Sequence, residues 1–362
     1  MRAAVLWERG GELEVRDDVE LRELGPQDVR VRLAASGVCH TDVSVQAGTL
    51  AAEIPCVPGH EGAGTVTAVG PEVEGIRAGD PVILAAATGC LRCPSCLRGQ
   101  THLCRKGMGS WGPPADGSPA PFYSAGVNLP GYVGTFAEEI VVPQDCAVKI
   151  EPDVPLDVVA LIGCCVVTGV GAALNTARIE PGSTVAVFGC GGIGSAAIQG
   201  ARIAGAAEIV AVDPVEAKLE TAAHFGATRA VAPGGIDGVK RELTGGVGFD
   251  YALECAGHAS VVRQAYDAIR PGGTLVLVGV GDPEDRLPLS PTELVIEAKT
   301  LKGSLYGDAN ARRDFARLIH WWRNGQLDLE GLISRRWRLD EINQAFRALE
   351  AGEVVRSLIE LE

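Results

Sequence analysis

Over the first 150 residues the apolar positions fall in short runs cut by glycine and proline: "AAVLWE", "DVRVRLAASGV", "GAGTVTAVG", "DPVILAAA" and "AEEIVV". Runs of this length between turn residues predict strands, so this part reads as an all-β, partly barrel-like unit. From about residue 166 the pattern becomes strand, helix, strand, helix: "STVAVFG", "GIGSAAIQGARIAGA", "EIVAVD", "VEAKLETAAHFGA", "YALECAG", "GTLVLVGV". That alternation predicts a doubly wound parallel sheet, and the fold class is α/β plus β. The end of the chain, "DFARLIHWWRNGQL" and "LDEINQAFRALEAGEVVRSLIELE", reads as two amphipathic helices and a closing strand. Residues Met108 to Pro130, rich in Gly, Pro and Ser, read as a loop.

The longest apolar stretch, Val158 to Leu174, contains three glycines and is short for a membrane span, so a buried core segment is expected. A chain of 362 residues with 47 glycines suits two domains with many tight turns. A net charge of −14 and no Lys/Arg cluster argue against nucleic-acid binding. The start, "MRAAVLWERGG", lacks the pattern of a secretory signal, and the cytoplasm is the expected location. In that reducing compartment eleven cysteines, an odd number, are explained by metal binding or packing rather than disulfides.

In "VAVFGCGGIGSAAIQGA", Gly189, Gly191 and Gly194 follow an apolar strand and open a helix, with Gly192 and Ile193 in the same turn. Backbone N–H groups and the helix dipole there can meet a pyrophosphate. Asp213 ends the next strand at about the ~20-residue offset expected of a carboxylate that grips a ribose 2′-hydroxyl. It would repel a 2′-phosphate, and Pro214 and Val215 bring no arginine, so NAD is expected rather than NADP. Lys218 lies a turn later, within reach of the ribose, and Val278, within "GTLVLVGV", is a further cofactor-binding candidate.

"GCLRCPSCLRGQTHLC" sets Cys90, Cys93, Cys96 and Cys104 at spacings of three, three and eight, enough to close a tetrahedron of thiolates around a structural zinc. His102 lies inside this loop and is expected to be solvated. "GVCHTD", "PGHEGAG" and "LIGCCVVTG" offer further soft or borderline ligands, and three protein ligands with an open position make a catalytic zinc site.

Taken together and in this order, "GVCHTD", "GHEGAG", the four-cysteine loop, "IGC…TGVGAA", "GCGGIG", "VDPVEAK" and "VVRSLI" resemble the zinc-containing medium-chain alcohol dehydrogenases over nearly the whole chain. The resemblance implies a GroES-like catalytic domain over 1–165 and 306–362, with the structural zinc loop at 90–104. It implies a Rossmann NAD-binding domain over 166–305 and an active site between the two. It makes Cys39, His60 and one of Cys164 and Cys165 the catalytic zinc ligands. Counting back from Thr168 selects Cys164, which also follows Ile162 and Gly163, and leaves Cys165 for packing. Two thiolates and a neutral imidazole leave the ion a Lewis acid able to ready an alcohol for hydride transfer to NAD.

The same resemblance makes Asp42 the carboxylate that orients the ligand histidine and Glu61 the acid behind the metal, solvated turn acids being the alternative. Thr41 takes the place of the hydroxyl that bonds the substrate oxygen. Where many members hand the proton on through a histidine, this chain has Ser44, so the proton is expected to leave through the cofactor ribose and water. His40 and Arg356 match positions that contact the pyrophosphate; otherwise each is a surface charge.

Ala86 stands where relatives often carry a bulky aromatic, which widens the pocket; Leu50, Trp111, Tyr132 and Val133 are further candidate linings. A roomy apolar pocket suits primary aromatic or longer-chain alcohols and their aldehydes. A thiol-dependent formaldehyde dehydrogenase is the nearest rival and shares every ligand. Zinc-free quinone or enoyl reductases would lack both cysteine sets, polyol dehydrogenases commonly replace the third cysteine by a carboxylate, and an NAD-binding sensor would have no use for an open zinc site. A homodimer or homotetramer is implied, paired through "GTLVLVGV" and "LKGSLYG".

Overall fold

The computed structural model describes residues 1–106, 120–131 and 133–361 and divides into two compact units. One comprises 1–164, 310–322 and 329–362; the other comprises 165–309 and 323–328.

The first unit is built on a seven-stranded sheet of the described residues. Its order is Ala147–Lys149, Pro81–Leu84, Glu61–Val69, Asp28–Val38, Arg356–Glu360, Ile333–Arg338, with Glu139–Pro143 also paired to Asp28–Val38. In the long central strand Val29, Val31 and Leu33 point to one face and pack with Val66, Leu84 and Ile140, the period-2 burial expected of a half-covered antiparallel strand. On another face Phe346 of the helix Ile342–Glu350 packs edge-on against Phe136, with ring centres 5.9 Å apart.

Three features depart from the sequence reading. The β unit contains an eight-residue helix, His40–Ala47, because Asp42 caps its first turn; a run as short as "HTDVSVQA" carries little helical period. The strand Ile333–Arg338 was hidden among its arginines and pairs parallel with Arg356–Glu360. Within the expected loop, Phe122–Ser124 and Val127–Leu129 form a hairpin. Its two turn residues, Ala125 (φ 50°) and Gly126 (φ 81°), are both left-handed, as a type I′ turn requires, and alanine there conceals the usual signal.

The second unit carries a six-stranded, wholly parallel sheet in the order Arg229–Val231, Glu208–Val212, Thr184–Phe188, Phe249–Glu254, Ile269–Leu277, Thr300–Gly303. Counted along the chain this is 3-2-1-4-5-6, the order of a doubly wound dinucleotide fold, whose direction reverses beside the glycine-rich turn. Ala186, Val210, Ala252 and Leu275 are fully buried or nearly so, as befits strands covered on both faces.

The apolar run opening at Leu156 is helical, not extended: Leu156–Val159, a tighter turn Ala160–Gly163, then Cys165–Gly171, with Cys164 between them in a non-helical conformation (φ −146°, ψ −65°). Among the described residues no single helix is long and apolar enough to cross a membrane.

Candidate active site

Cys39 closes the central strand and caps the helix His40–Ala47, while His60 stands at the start of the neighbouring strand after the left-handed Gly59 (φ 97°). Asp42 ties these two places together. Its Oδ2 accepts the Cys39 N–H at 3.0 Å, and its Oδ1 accepts the Gly59 N–H at 3.1 Å and lies 3.0 Å from Nδ1 of His60. With Nδ1 engaged, Nε2 is the ring nitrogen left to bind a metal. Asp42 and Glu61 are both buried, so neither is a solvated turn acid.

The break in the helical run at Cys164 sends its thiol toward Cys39 and His60. The ligand atoms of Cys39, His60, Glu61 and Cys164 all lie within 4.8 Å of one another. Cys165 is fully buried and belongs to the other unit. Two thiols and an imidazole are the soft and borderline donors that zinc selects, and the donor set therefore fits that ion. The Cys39 thiol is held well below its ordinary value, chiefly by its hydrogen bond with Cys164 and against the effect of burial.

Glu61 is paired with Arg356, whose guanidinium is 3 % exposed and so is no surface charge. Burial pushes Glu61 up to about 7, while the arginine pulls it down. Gly37 is what makes room for the pair: a Cβ there would lie 2.2 Å from Oε2 of Glu61 and 3.2 Å from a guanidinium nitrogen of Arg356. The sequence reading passed over Gly37, although it stands within the quoted "GVCHTD". Thr41 and Ser44 are half-buried in the first two turns of the same helix, and His40 is exposed at its start.

In the four-cysteine loop, Cys90, Cys93, Cys96 and Cys104 likewise bring their sulfurs within 4.8 Å of one another. The Cys90 N–H lies 3.3 Å from Sγ of Cys104. Cys90 is drawn down to about 6, first by a backbone hydrogen bond at Arg92, while burial pushes Cys96 up to about 12. Four thiol donors with no open position fit a structural zinc. His102, expected to be solvated, is buried, because it sits on the inner side of the short turn Thr101–Leu103.

In the second unit the three glycines divide the work of a dinucleotide turn. Gly189 adopts φ 87°, a Cβ on Gly191 would meet nothing within 4 Å, and a Cβ on Gly194 would lie 1.8 Å from the Gly189 carbonyl. Tight turn, open approach and close helix packing are the three roles such glycines serve. The open side at Gly191, at the N-terminus of the thirteen-residue helix Gly192–Ala204 that continues through Ile193, is a cradle that fits a pyrophosphate. Asp213 is 5 % exposed; its Oδ2 accepts the Cys190 N–H at 2.8 Å and its Oδ1 the Val215 N–H at 2.9 Å. Lys218 is half-buried one turn on, and the Val278 N–H donates to the Glu254 carbonyl at 2.8 Å.

Of the expected pocket residues, Ala86 is buried just beyond the strand Pro81–Leu84. Leu50 packs beside Leu6, Val45 and Cys56, and Val133 lies in the core with Phe122 and Leu129. Trp111 and Tyr132 lie outside the described residues.

Residues 25–152 match the alcohol dehydrogenase GroES-like domain, and residues 192–324 match the zinc-binding dehydrogenase domain. An alcohol dehydrogenase class-3 from Cereibacter sphaeroides is 37 % identical over 375 residues, covering 99 % of each chain. The chain belongs to the zinc-containing medium-chain alcohol dehydrogenase family. An S-(hydroxymethyl)glutathione dehydrogenase from Paracoccus denitrificans is 35 % identical, again over 99 % of both chains. The crystal structure of benzyl alcohol dehydrogenase from Acinetobacter calcoaceticus superposes with a TM-score of 0.93 at 27 % identity, over all of this chain and 99 % of that one. As a member of this family the chain is a zinc-dependent oxidoreductase acting on CH–OH groups of small molecules, with zinc and a nicotinamide dinucleotide as its cofactors.

Proposed function

We propose that this dehydrogenase interconverts primary alcohols, aromatic or longer-chain, with their aldehydes. The observation that carries the reading is Ala86. A Cβ on Gly163 would lie 2.7 Å from the Leu84 carbonyl, so the end of the strand Pro81–Leu84 abuts the residue before Cys164. Two residues on, the chain offers only a methyl group, which leaves room for a ring or chain beside the reacting carbon.

In this reading Cys39, His60 and Cys164 hold the catalytic zinc, and Cys90, Cys93, Cys96 and Cys104 the structural one. Bound at the first site, zinc supplies a Lewis acid that lowers the pKa of an alcohol oxygen. Asp42 keeps the His60 ring turned so that Nε2 is presented. Thr41 accepts the proton from the substrate hydroxyl and passes it to the cofactor ribose and water, Ser44 standing where a relay histidine would. Gly189 to Gly194 receive the pyrophosphate, for which His40 is a further candidate contact, and Asp213 and Lys218 receive the adenosine ribose. Arg356, through its pair with Glu61, keeps a positive charge behind the ligand set.

A second reading, oxidation of a hydroxymethyl adduct of a small thiol, draws support from the 35 % identical glutathione-linked relative. Initial rates of NADH formation separate the two. Benzyl alcohol turnover without added thiol supports the proposal; activity confined to formaldehyde plus glutathione overturns it. We also propose a homo-oligomer of cytoplasmic location. Support for pairing comes from the edge strand Thr300–Gly303, unpaired on its outer side among the described residues, and from Val295 and Ile296 nearby, each 77 % exposed.

A further inference from the structure

Two acids end the strands on either side of Thr184–Phe188. One is Asp213, after Glu208–Val212; the other is Glu254, the last residue of Phe249–Glu254. Each turns its carboxylate back onto the loop that follows. Oε1 of Glu254 accepts the Ala256 N–H at 2.9 Å and the Gly257 N–H at 2.7 Å, which closes residues 255–257 into a tight turn. The turn is tied on both sides, since the Cys255 N–H donates to the Phe188 carbonyl at 2.8 Å and the Val278 and Gly279 N–H groups donate to the Glu254 carbonyl at 2.8 and 3.0 Å.

Around this turn backbone meets backbone. A Cβ on Gly189, the first glycine of the cradle, would lie 3.0 Å from the Ala256 nitrogen. One on Gly279 would lie 2.2 Å from the Gly257 nitrogen, and one on Gly281 would lie 1.8 Å from the Gly257 carbonyl. With no flexible side chain between them, a displacement of the 255–257 turn passes directly to the Gly189 turn and to residues 279–281. Glu254 is fully buried, and its Oε2 has no hydrogen-bond partner among the described residues. Carrying an ionisable group into such a position costs free energy that an apolar residue would avoid, and the turn it holds accounts for its presence.

We propose that Glu254 is a positioning residue for the dinucleotide: by pinning the 255–257 turn it fixes the place of the Gly189 turn, and so sets how tightly NAD binds. It touches neither substrate nor reacting atoms and acts through the loop. The inference rests on NAD use and is independent of which alcohol is oxidised.

The test separates reach from charge. Glu254→Gln keeps an acceptor at the same reach without the charge; Glu254→Asp keeps the charge but draws the acceptor back by about one methylene, enough misplacement for an effect of tenfold or more. Binding of NADH is titrated by nicotinamide fluorescence in the absence of alcohol, beside KM for NAD, kcat, zinc content and the melting temperature. The expected pattern is a Gln variant within about threefold of wild type and an Asp variant with Kd for NADH and KM for NAD raised about tenfold, kcat at saturating NAD being retained by both. An Asp variant that binds NADH like wild type, or a Gln variant as impaired as the Asp variant, overturns the proposal. So does a loss confined to kcat. If the Asp variant does not fold, a Gln variant with tight NADH binding supports the acceptor role, and one with weak binding at unchanged melting temperature overturns it. Failure of the wild-type enzyme to oxidise benzyl alcohol while it binds NADH tightly would bear on the substrate reading alone.

Discussion

Replacing Asp42 by Asn tests the architecture of the catalytic ligand set with one atom changed. The carboxylate serves three buried groups: the Cys39 N–H through Oδ2, and the Gly59 N–H and His60 Nδ1 through Oδ1. An amide has one acceptor and one donor end. With its oxygen toward Gly59 and His60, the NH2 faces the Cys39 N–H, donor against donor, and one buried N–H is orphaned at about 1–3 kcal/mol. The opposite orientation orphans the Gly59 N–H instead. It also invites His60 to place its proton on Nε2, where a metal must bind, so the first orientation prevails. Loss of charge then weakens the two remaining hydrogen bonds to roughly half their strength.

The cost to the fold is therefore about 2–4 kcal/mol. The cost to zinc at this site is about 10- to 100-fold in affinity, the usual effect of removing the partner of a ligand histidine. The four-cysteine loop forms a separate cluster of donors and serves as the internal control. Zinc per chain is measured after equilibration against a graded series of chelator. For the variant, release of the first zinc shifts to about 10- to 100-fold lower chelator, while the second stays in place. A release curve that overlays the wild type would refute the orienting role of Asp42, and simultaneous loss of both ions would show that the effect is general unfolding.

Cys164→Ser is expected to lose the catalytic zinc and with it alcohol oxidation, while Cys165→Ser keeps both ions; metal analysis of the pair decides, and loss of zinc from the Cys165 variant alone overturns the assignment. Asp213→Ala removes the acceptor of two backbone N–H groups as well as the proposed ribose contact, so KM for NAD rises by about tenfold or more without efficient use of NADP. A wild-type kcat/KM for NADP equal to that for NAD would refute the carboxylate argument. Thr41→Ala loses most of kcat in steady-state oxidation of benzyl alcohol while Ser44→Ala is nearly unaffected; an unimpaired Thr41 variant removes that hydroxyl from the proton path.

What was legible in the sequence is what neighbours along the chain accomplish together. The four cysteines of the 90–104 loop converge within one turn and a short helix, and Gly189, Gly191 and Gly194 act within one strand-to-helix connection, so spacing alone conveyed their chemistry. Even Glu254 had a readable signal, an acid ending an apolar strand as Asp213 does, although only the structure reveals the turn that it holds. The hairpin at 122–129 escaped because its left-handed pair is Ala-Gly rather than Asn-Gly. The Glu61–Arg356 pair was beyond any local pattern, for its members are 295 residues apart. They meet because Asp28–Val38 lies between the strands that carry them, Gly37 being paired with Glu61 on one side and with Leu358 on the other. A glycine at that crossing leaves the volume that the two charged side chains occupy, and a Cβ there would displace them. The charge behind the ligand set is thus a product of strand order. A periodic reading resolves which face of a strand is buried, but it carries no information about which distant strand lies alongside.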